Sequence, residues 1–347
     1  MNKIASDPRI DPRIKAVMGA MPPTASADVA DRDTMLEEAN TPEAIAVRDQ
    51  MRATLDLLDS EEVAPSSGLD IHAVEFTSQP DGNTVKINVI RPKPTEGADD
   101  TPLPCVYYIH GGGMMTMSAF DGMYRSWGRI IANQGVAVAM VDFRNCLHPS
   151  SAPEVAPFPA GLNDCVSGLR HVVEHADELG IDADRIVVAG ESGGGNLAIA
   201  TTMRLARDGD VGLVHGLYAL CPYIAGTWPQ DRFPSSIENE GILLALHNNR
   251  GRVAYGIEAF EAGDPLAWPS FATEDDVADF PPTMISVNEC DPLRDEGIEF
   301  YRLLVRAGVA AQCRQVMGTI HGTEIFSLAC PDVSSETARS IAAMARG

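Results

Sequence analysis

The stretch RIVVAGESGGGNLAIATTMRLA, Arg185–Ala206, decides the reading of the chain. It opens on a short β-branched apolar run typical of a buried strand, and it closes on Leu197, Thr201 and Leu205 at helical spacing. Between them stands Gly190-Glu191-Ser192-Gly193-Gly194, a G-x-S-x-G turn in strand–turn–helix context. The serine of such a turn has a strained backbone, and bulk two residues to either side would meet the neighbouring strand or the helix. The helix that follows offers its N-terminal amides to an anion forming beside the serine. Without its context the pattern is weak, and a flexible glycine turn is the plain alternative; in this context it marks Ser192 as a nucleophile.

Working outward, the same kind of apolar run recurs, each followed by a helix-length segment: Cys105–Ile109, Val136–Val141, Ile186–Ala189, Val214–Leu220, Thr283–Val287 and Ala311–Val316. Continuous apolar runs separated by helices are what a parallel sheet covered on both faces requires. Upstream, Ile71–Ser78 and Val85–Arg91 alternate apolar and polar residues around Pro80–Asn83, which predicts a hairpin feeding the sheet. The expected fold is therefore α/β, with about eight strands in a doubly wound, mostly parallel sheet. Residues 1–70 hold a tandem DPRI at Asp7–Ile10 and Asp11–Ile14, then helical stretches broken at Pro22–Pro23. Between the sixth and seventh strands, residues 222–280 are too many for an ordinary crossover and read as a helical cap insertion packing with the N-terminal segment. Residues 71–221 and 281–347 would then form the core.

A nucleophilic serine needs a base, and the base an orienting carboxylate. Asp291 follows the seventh strand and precedes Pro292, which fixes the turn; Glu289, Asp295 and Glu296 compete with it less well. His321 follows the eighth strand. Both stand at C-terminal strand ends, where open α/β sheets bind ligands. After the third predicted strand comes His110-Gly111-Gly112-Gly113, whose side-chain-free amides suit an oxyanion hole, with His110 bracing the loop.

The composition limits the partners. Forty-nine acidic against 26 basic residues give a formal charge of −23, with lysine only at Lys3, Lys15, Lys86 and Lys93. Such a field disfavours nucleic acid and anionic membranes, and its plain reading is a solubilising surface, with salt adaptation the lesser one. Seven scattered cysteines without a CxxC pair read as free thiols in a reducing compartment. With no signal-peptide pattern at the N-terminus, a cytoplasmic location is expected. His171-Val172-Val173-Glu174-His175 matches the inverted zinc-protease pattern H-x-x-E-H, but helical phasing puts the two histidines and Glu174 opposite the apolar face, as a solvated triplet.

Taken together, HGGG, GESGG, DPLRDEG at Asp291–Gly297 and His321-Gly322 resemble the hormone-sensitive-lipase-like family of α/β-hydrolases. VDFRN (Val141–Asn145), FPAGLNDC (Phe158–Cys165) and AWPSFATEDD (Ala267–Asp276) share its flavour, and the resemblance runs from about Cys105 to Phe326. It implies an eight-stranded sheet under a cap, Ser192 as nucleophile, Asp291 as orienting acid and His321 as base. It also implies an oxyanion hole of the Gly112, Gly113 and Gly193 amides, and neither metal nor organic cofactor. The implied activity is serine carboxylesterase chemistry on a small-molecule ester. An inactive ligand-binding relative and, last, a zinc hydrolase are the alternatives; the first usually lacks a triad member, and none is missing here. Glu191 and Gly193 replace the usual Asp and Ala, and Met114 an aromatic residue, departures expected to alter only the pocket. Met114, Met115, Tyr223, Trp228 and Trp268 are its candidate lining, for short-acyl or compact esters, macrolactones included.

Overall fold

A computed structural model describes residues 2–21, 26–94 and 101–347; the Pro22–Pro23 break read from the sequence lies outside them. All eight expected strands form: β1 Leu69–Thr77, β2 Thr84–Pro92, β3 Leu103–Ile109, β4 Ala137–Asp142, β5 Ile181–Glu191, β6 Gly216–Leu220, β7 Thr283–Cys290 and β8 Ala311–Ile320. They make one sheet in the order β1-β2-β4-β3-β5-β6-β7-β8. β1 pairs antiparallel with β2, and β2 with β4; every other neighbouring pair is parallel. Strand ends differ from expectation where polar residues interrupt the apolar run and pairing resumes beyond a register shift: β5 begins at Ile181, and β7 and β8 run on to Cys290 and Ile320. β6 begins only at Gly216, because Val211–Leu213 closes a 3₁₀ turn before it.

Eight longer helices accompany the sheet: α1 Arg32–Ala39, α2 Pro42–Asp56, α3 Gly122–Ala132, α4 Ala160–Glu174, α5 Gly193–Asp208, α6 Arg250–Glu261, α7 Arg294–Arg306 and α8 Pro331–Arg346. β3 shows why its sequence is continuously apolar. Cys105, Tyr107 and Ile109 enter the core on one face, with α4, α5 and α7, while Val106 and Tyr108 enter the core on the other, with α3 and α8. Side chains alternate across a strand, so a strand covered on both sides has no wet face.

The two DPRI repeats make the same local turn, in which the Asp7 and Asp11 carboxylates accept the Arg9 and Arg13 amides at 2.9 and 2.8 Å. Ile10 and Ile14 are then buried together with Ile242, Cys290 and Ile320. Further on, the Asn249 side chain pairs with both backbone groups of Val29, at 2.8 and 2.9 Å, and Arg250 reaches Glu38 at 2.7 Å. The N-terminal segment thus packs against residues 242–250 of the stretch between β6 and β7.

Candidate active site

Ser192 stands between the end of β5 and the first turn of α5, with φ 56° and ψ −120°, in the positive-φ half of the backbone map that L-residues seldom occupy. The turn is held from both sides: the Ser192 amide donates to Leu220 O at 2.9 Å, and Ser192 O accepts from the Tyr223 amide at 3.0 Å. A Cβ on Gly190 would lie 2.3 Å from Gly194 O, and one on Gly194 2.0 Å from Ile109 O. Those contacts are the physical content of the two outer glycines in the motif.

β7 and β8 deliver the other two residues. Asp291, fully buried, directly follows β7; its Oδ1 accepts the Leu293 amide at 2.9 Å, so the Pro292 turn fixes the carboxylate. His321 directly follows β8, where the Thr323 hydroxyl accepts the Ile320 amide at 3.0 Å and donates to Ile320 O at 2.8 Å. His321 Nδ1 lies 2.8 Å from Asp291 Oδ2, and Nε2 lies 2.8 Å from Ser192 Oγ. Burial alone would lower the His321 pKa, but the adjacent Asp291 carboxylate and Cys221 outweigh it and raise the pKa well above the usual value. The competing acids are engaged elsewhere: Glu289 with the Gly318 amide, Asp295 with the Ser235 amide, and Glu296 with Ile224, Ala225 and Trp228.

The glycine loop reaches the same place. A Cβ on Gly193 would lie 2.5 Å from Met114 N and 2.7 Å from Gly113 N. Gly112 and Gly113 have φ of 89° and 64°. Among the described residues the amides of Gly112, Gly113 and Gly193 donate to no protein acceptor. Three free N–H groups gathered beside a serine can receive a developing oxyanion. His110, fully buried, stacks on Phe143 at 4.3 Å and bonds Gly111 O through Nδ1 at 3.0 Å. Burial lowers its pKa, so the ring is a neutral brace.

The candidate lining residues have more specific surroundings. Met114 is buried with φ 59°, and Met115 is half-buried beside Gly113. Tyr223, Trp228 and Trp268 are buried and pack on one another, with ring centroids 4.7, 5.6 and 6.4 Å apart. His171 and His175 depart from the expected solvated triplet. They are half-buried, because α4 lies over the sheet edge and His171 stacks on Phe76 of β1 at 5.4 Å; only Glu174 is exposed. Among the described residues the one group of ligand-type atoms converging within 4.8 Å is Cys221, Asp291 and His321, not the HVVEH helix. Sequence reasoning missed Cys221 at this site, and it missed that Glu191 is bound by Tyr108 and Tyr124, at 2.7 and 2.6 Å. Cys221 follows β6 directly, so its place at a strand end was the available signal; the tyrosines gave none.

A strand-end serine, imidazole and carboxylate on this sheet define an α/β-hydrolase. Residues 106–325 match the family described as alpha/beta hydrolase fold, and the chain belongs to it, within the hormone-sensitive-lipase-like group. It is similar to esterase Est22, at 65% identity and TM-score 0.97 over 100% of this chain and 99% of that one. It is also similar to brefeldin A esterase, a bacterial homologue of human hormone sensitive lipase, at 34% identity and TM-score 0.84 over 99% and 94% of the two chains. Carboxylesterase NlhH of Mycobacterium tuberculosis is 34% identical over 249 residues, 70% of this chain and 74% of that protein.

Proposed function

We propose that the protein is a serine carboxylesterase that works through an acyl-enzyme on Ser192. The observation that carries the proposal is His321, which meets Ser192 Oγ with one ring nitrogen and Asp291 with the other, at 2.8 Å each. Ser192 Oγ attacks the ester carbonyl while His321 Nε2 takes its proton, and Asp291 holds the ring and balances the imidazolium. The carbonyl oxygen, now an anion, is received by the Gly112, Gly113 and Gly193 amides. His321 returns the proton to the leaving alcohol, and a water activated by the same nitrogen then releases the acid. The esterase names of the relatives support this class of reaction.

Residues 1–70 and 222–280 serve as the cap over a core of 71–221 and 281–347, a division supported by the Asn249–Val29 and Arg250–Glu38 contacts. The substrate is a compact or short-acyl ester. Support comes from the buried aromatic cluster, whose rings fill space under the cap by packing together. One structure of Est22 was solved with p-nitrophenol, and brefeldin A esterase names a macrolactone; brefeldin A itself belongs in the test panel. The protein acts in the cytoplasm, alone or as a homo-oligomer; support for the location comes from all seven cysteines being free. No helix of the described residues is long and apolar enough to cross a membrane. Turnover of p-nitrophenyl and alkyl esters by purified protein tests the proposal. A folded protein that binds these esters without hydrolysing any would instead be a ligand-binding relative.

A further inference from the structure

The residue before the nucleophile has a buried carboxyl with two hydroxyl partners. Glu191 Oε2 accepts from Tyr108 Oη at 2.7 Å, and Oε1 accepts from Tyr124 Oη at 2.6 Å. Tyr124 Oη in turn accepts the Gly111 amide at 2.9 Å. The contact between elbow and loop is close, since a Cβ on Gly111 would lie 2.1 Å from Glu191 Oε1. Each tyrosine has one hydroxyl proton and gives it to the carboxylate, which leaves the Tyr124 lone pairs for Gly111. An unbroken chain therefore runs from the first glycine of the loop, through α3, to the residue peptide-bonded to Ser192.

We propose that Glu191 is a positioning residue which, through Tyr124, holds the glycine loop in register with Ser192 so that the Gly112 and Gly113 amides face the oxyanion. The inference rests on the acyl-enzyme reading of the site. It depends on the ionised carboxylate, because only that form accepts from both hydroxyls at once. A protonated Glu191 has to donate, and the neighbours within reach are the two tyrosine hydroxyls. If Tyr124 reverses to accept, its proton points towards the Gly111 N–H and the clamp opens. The groups facing Glu191 are Tyr108 from β3, Tyr124 from α3 and His321 from the end of β8. Burial lifts the carboxyl to about 7 against the lowering effect of these three groups, so the clamp changes state near neutral pH.

The two tyrosines separate positioning from simple packing. Both bury a hydroxyl on the same carboxyl, but only Tyr124 also holds the loop. Tyr124→Phe should lower kcat by about tenfold or more, with KM within about twofold, because the lost contact acts on the transition state. Tyr108→Phe should keep kcat within about threefold at alkaline pH and move the acid limb of the pH profile upwards. Glu191→Gln should lower kcat and leave the acid limb to the His321 titration alone, so that the limb becomes less steep, and Glu191→Asp, which keeps the charge, should recover part of the loss. Equal kinetics for the two tyrosine variants, a loss in Glu191→Gln that Glu191→Asp shares in full, or a loss that appears only in KM, would overturn the inference. Labelling by a fluorophosphonate keeps the two readings apart. A wild-type protein that is not labelled on Ser192 overturns the function and the inference together; labelled variants with equal kinetics overturn the inference alone.

Discussion

His321 Nε2 lies 2.8 Å from Ser192 Oγ although 129 positions separate the two residues in the chain. Parallel strands put them together: β5 ends at the serine, β8 ends at the histidine, and the intervening β6 and β7 set the spacing between the two strand ends. The first expectation follows from that contact. Ser192→Ala should reduce ester hydrolysis by roughly 10⁴-fold while circular dichroism and melting stay near wild type. Mass spectrometry after an organophosphate should find the adduct on Ser192 in the wild type and none in the variant, and chelators should leave the rate unchanged. Chelator-sensitive activity restored by zinc would reverse the ranking of the hydrolase readings.

The pH dependence follows from the Asp291–His321 pair. In the proposed mechanism His321 must be neutral to take the serine proton, and its pKa is raised in the fold, so activity should fall as pH drops through a value above the ordinary histidine range. Asp291→Asn removes the charge that raises it. The expected outcome is a kcat lower by about 10³–10⁴-fold, with the remaining acid limb shifted to lower pH. Asp295→Asn, which disturbs the Ser235 amide and the Arg294 guanidinium but neither His321 nor Ser192, should leave the profile in place.

Glu296 offers a test through stability. Its buried carboxyl receives the Ile224 and Ala225 amides and the Trp228 indole, and burial raises its pKa to about 8. A carboxyl whose pKa is raised on folding holds its proton in the native state while the unfolded chain has lost it. Its contribution is therefore greatest below about pH 4.5 and declines as pH rises towards about 8. Glu296→Gln places an amide donor against the indole N–H, or against the two backbone amides, and should lower Tm. The deficit relative to wild type should shrink between pH 5 and 8, a trend that melting curves in matched buffers would read directly. A deficit independent of pH would show that Glu296 does not titrate in that range.

Substrate length is the fourth expectation. The mutual packing of Tyr223, Trp228 and Trp268, with Met114 buried beside the glycine loop, favours a compact acyl group. The charge of −23 disfavours anionic interfaces. Soluble short-acyl esters should be cleaved well and emulsified long-chain triglycerides hardly at all. A maximum of kcat/KM at long acyl chains, with interfacial activation, would sink this reading.

The amino-acid sequence by itself determined the order of the eight strands along the chain and the residues at their ends. Apolar runs such as CVYYI can be satisfied only between two helical layers, and Gly190 and Gly194 are required by contacts under 2.5 Å that any Cβ would make. The strand-end positions of Ser192, Asp291 and His321 were legible for the same local reason, since each directly follows a strand. The ends of β5, β7 and β8 were not, because pairing resumes beyond a register shift, after polar residues that no longer look like a strand. Tertiary structure alone decided which buried groups touch. Tyr108 and Tyr124 look like ordinary core residues in sequence, and Glu191 like a neutral replacement. Their hydrogen bonds join β3, α3 and β5 across 67 and 83 positions, and such pairings depend on how elements pack, which no local pattern encodes. The same holds for the half-burial of His171: helical phasing gives the face of α4, but only the edge position of β1 places Phe76 beneath it.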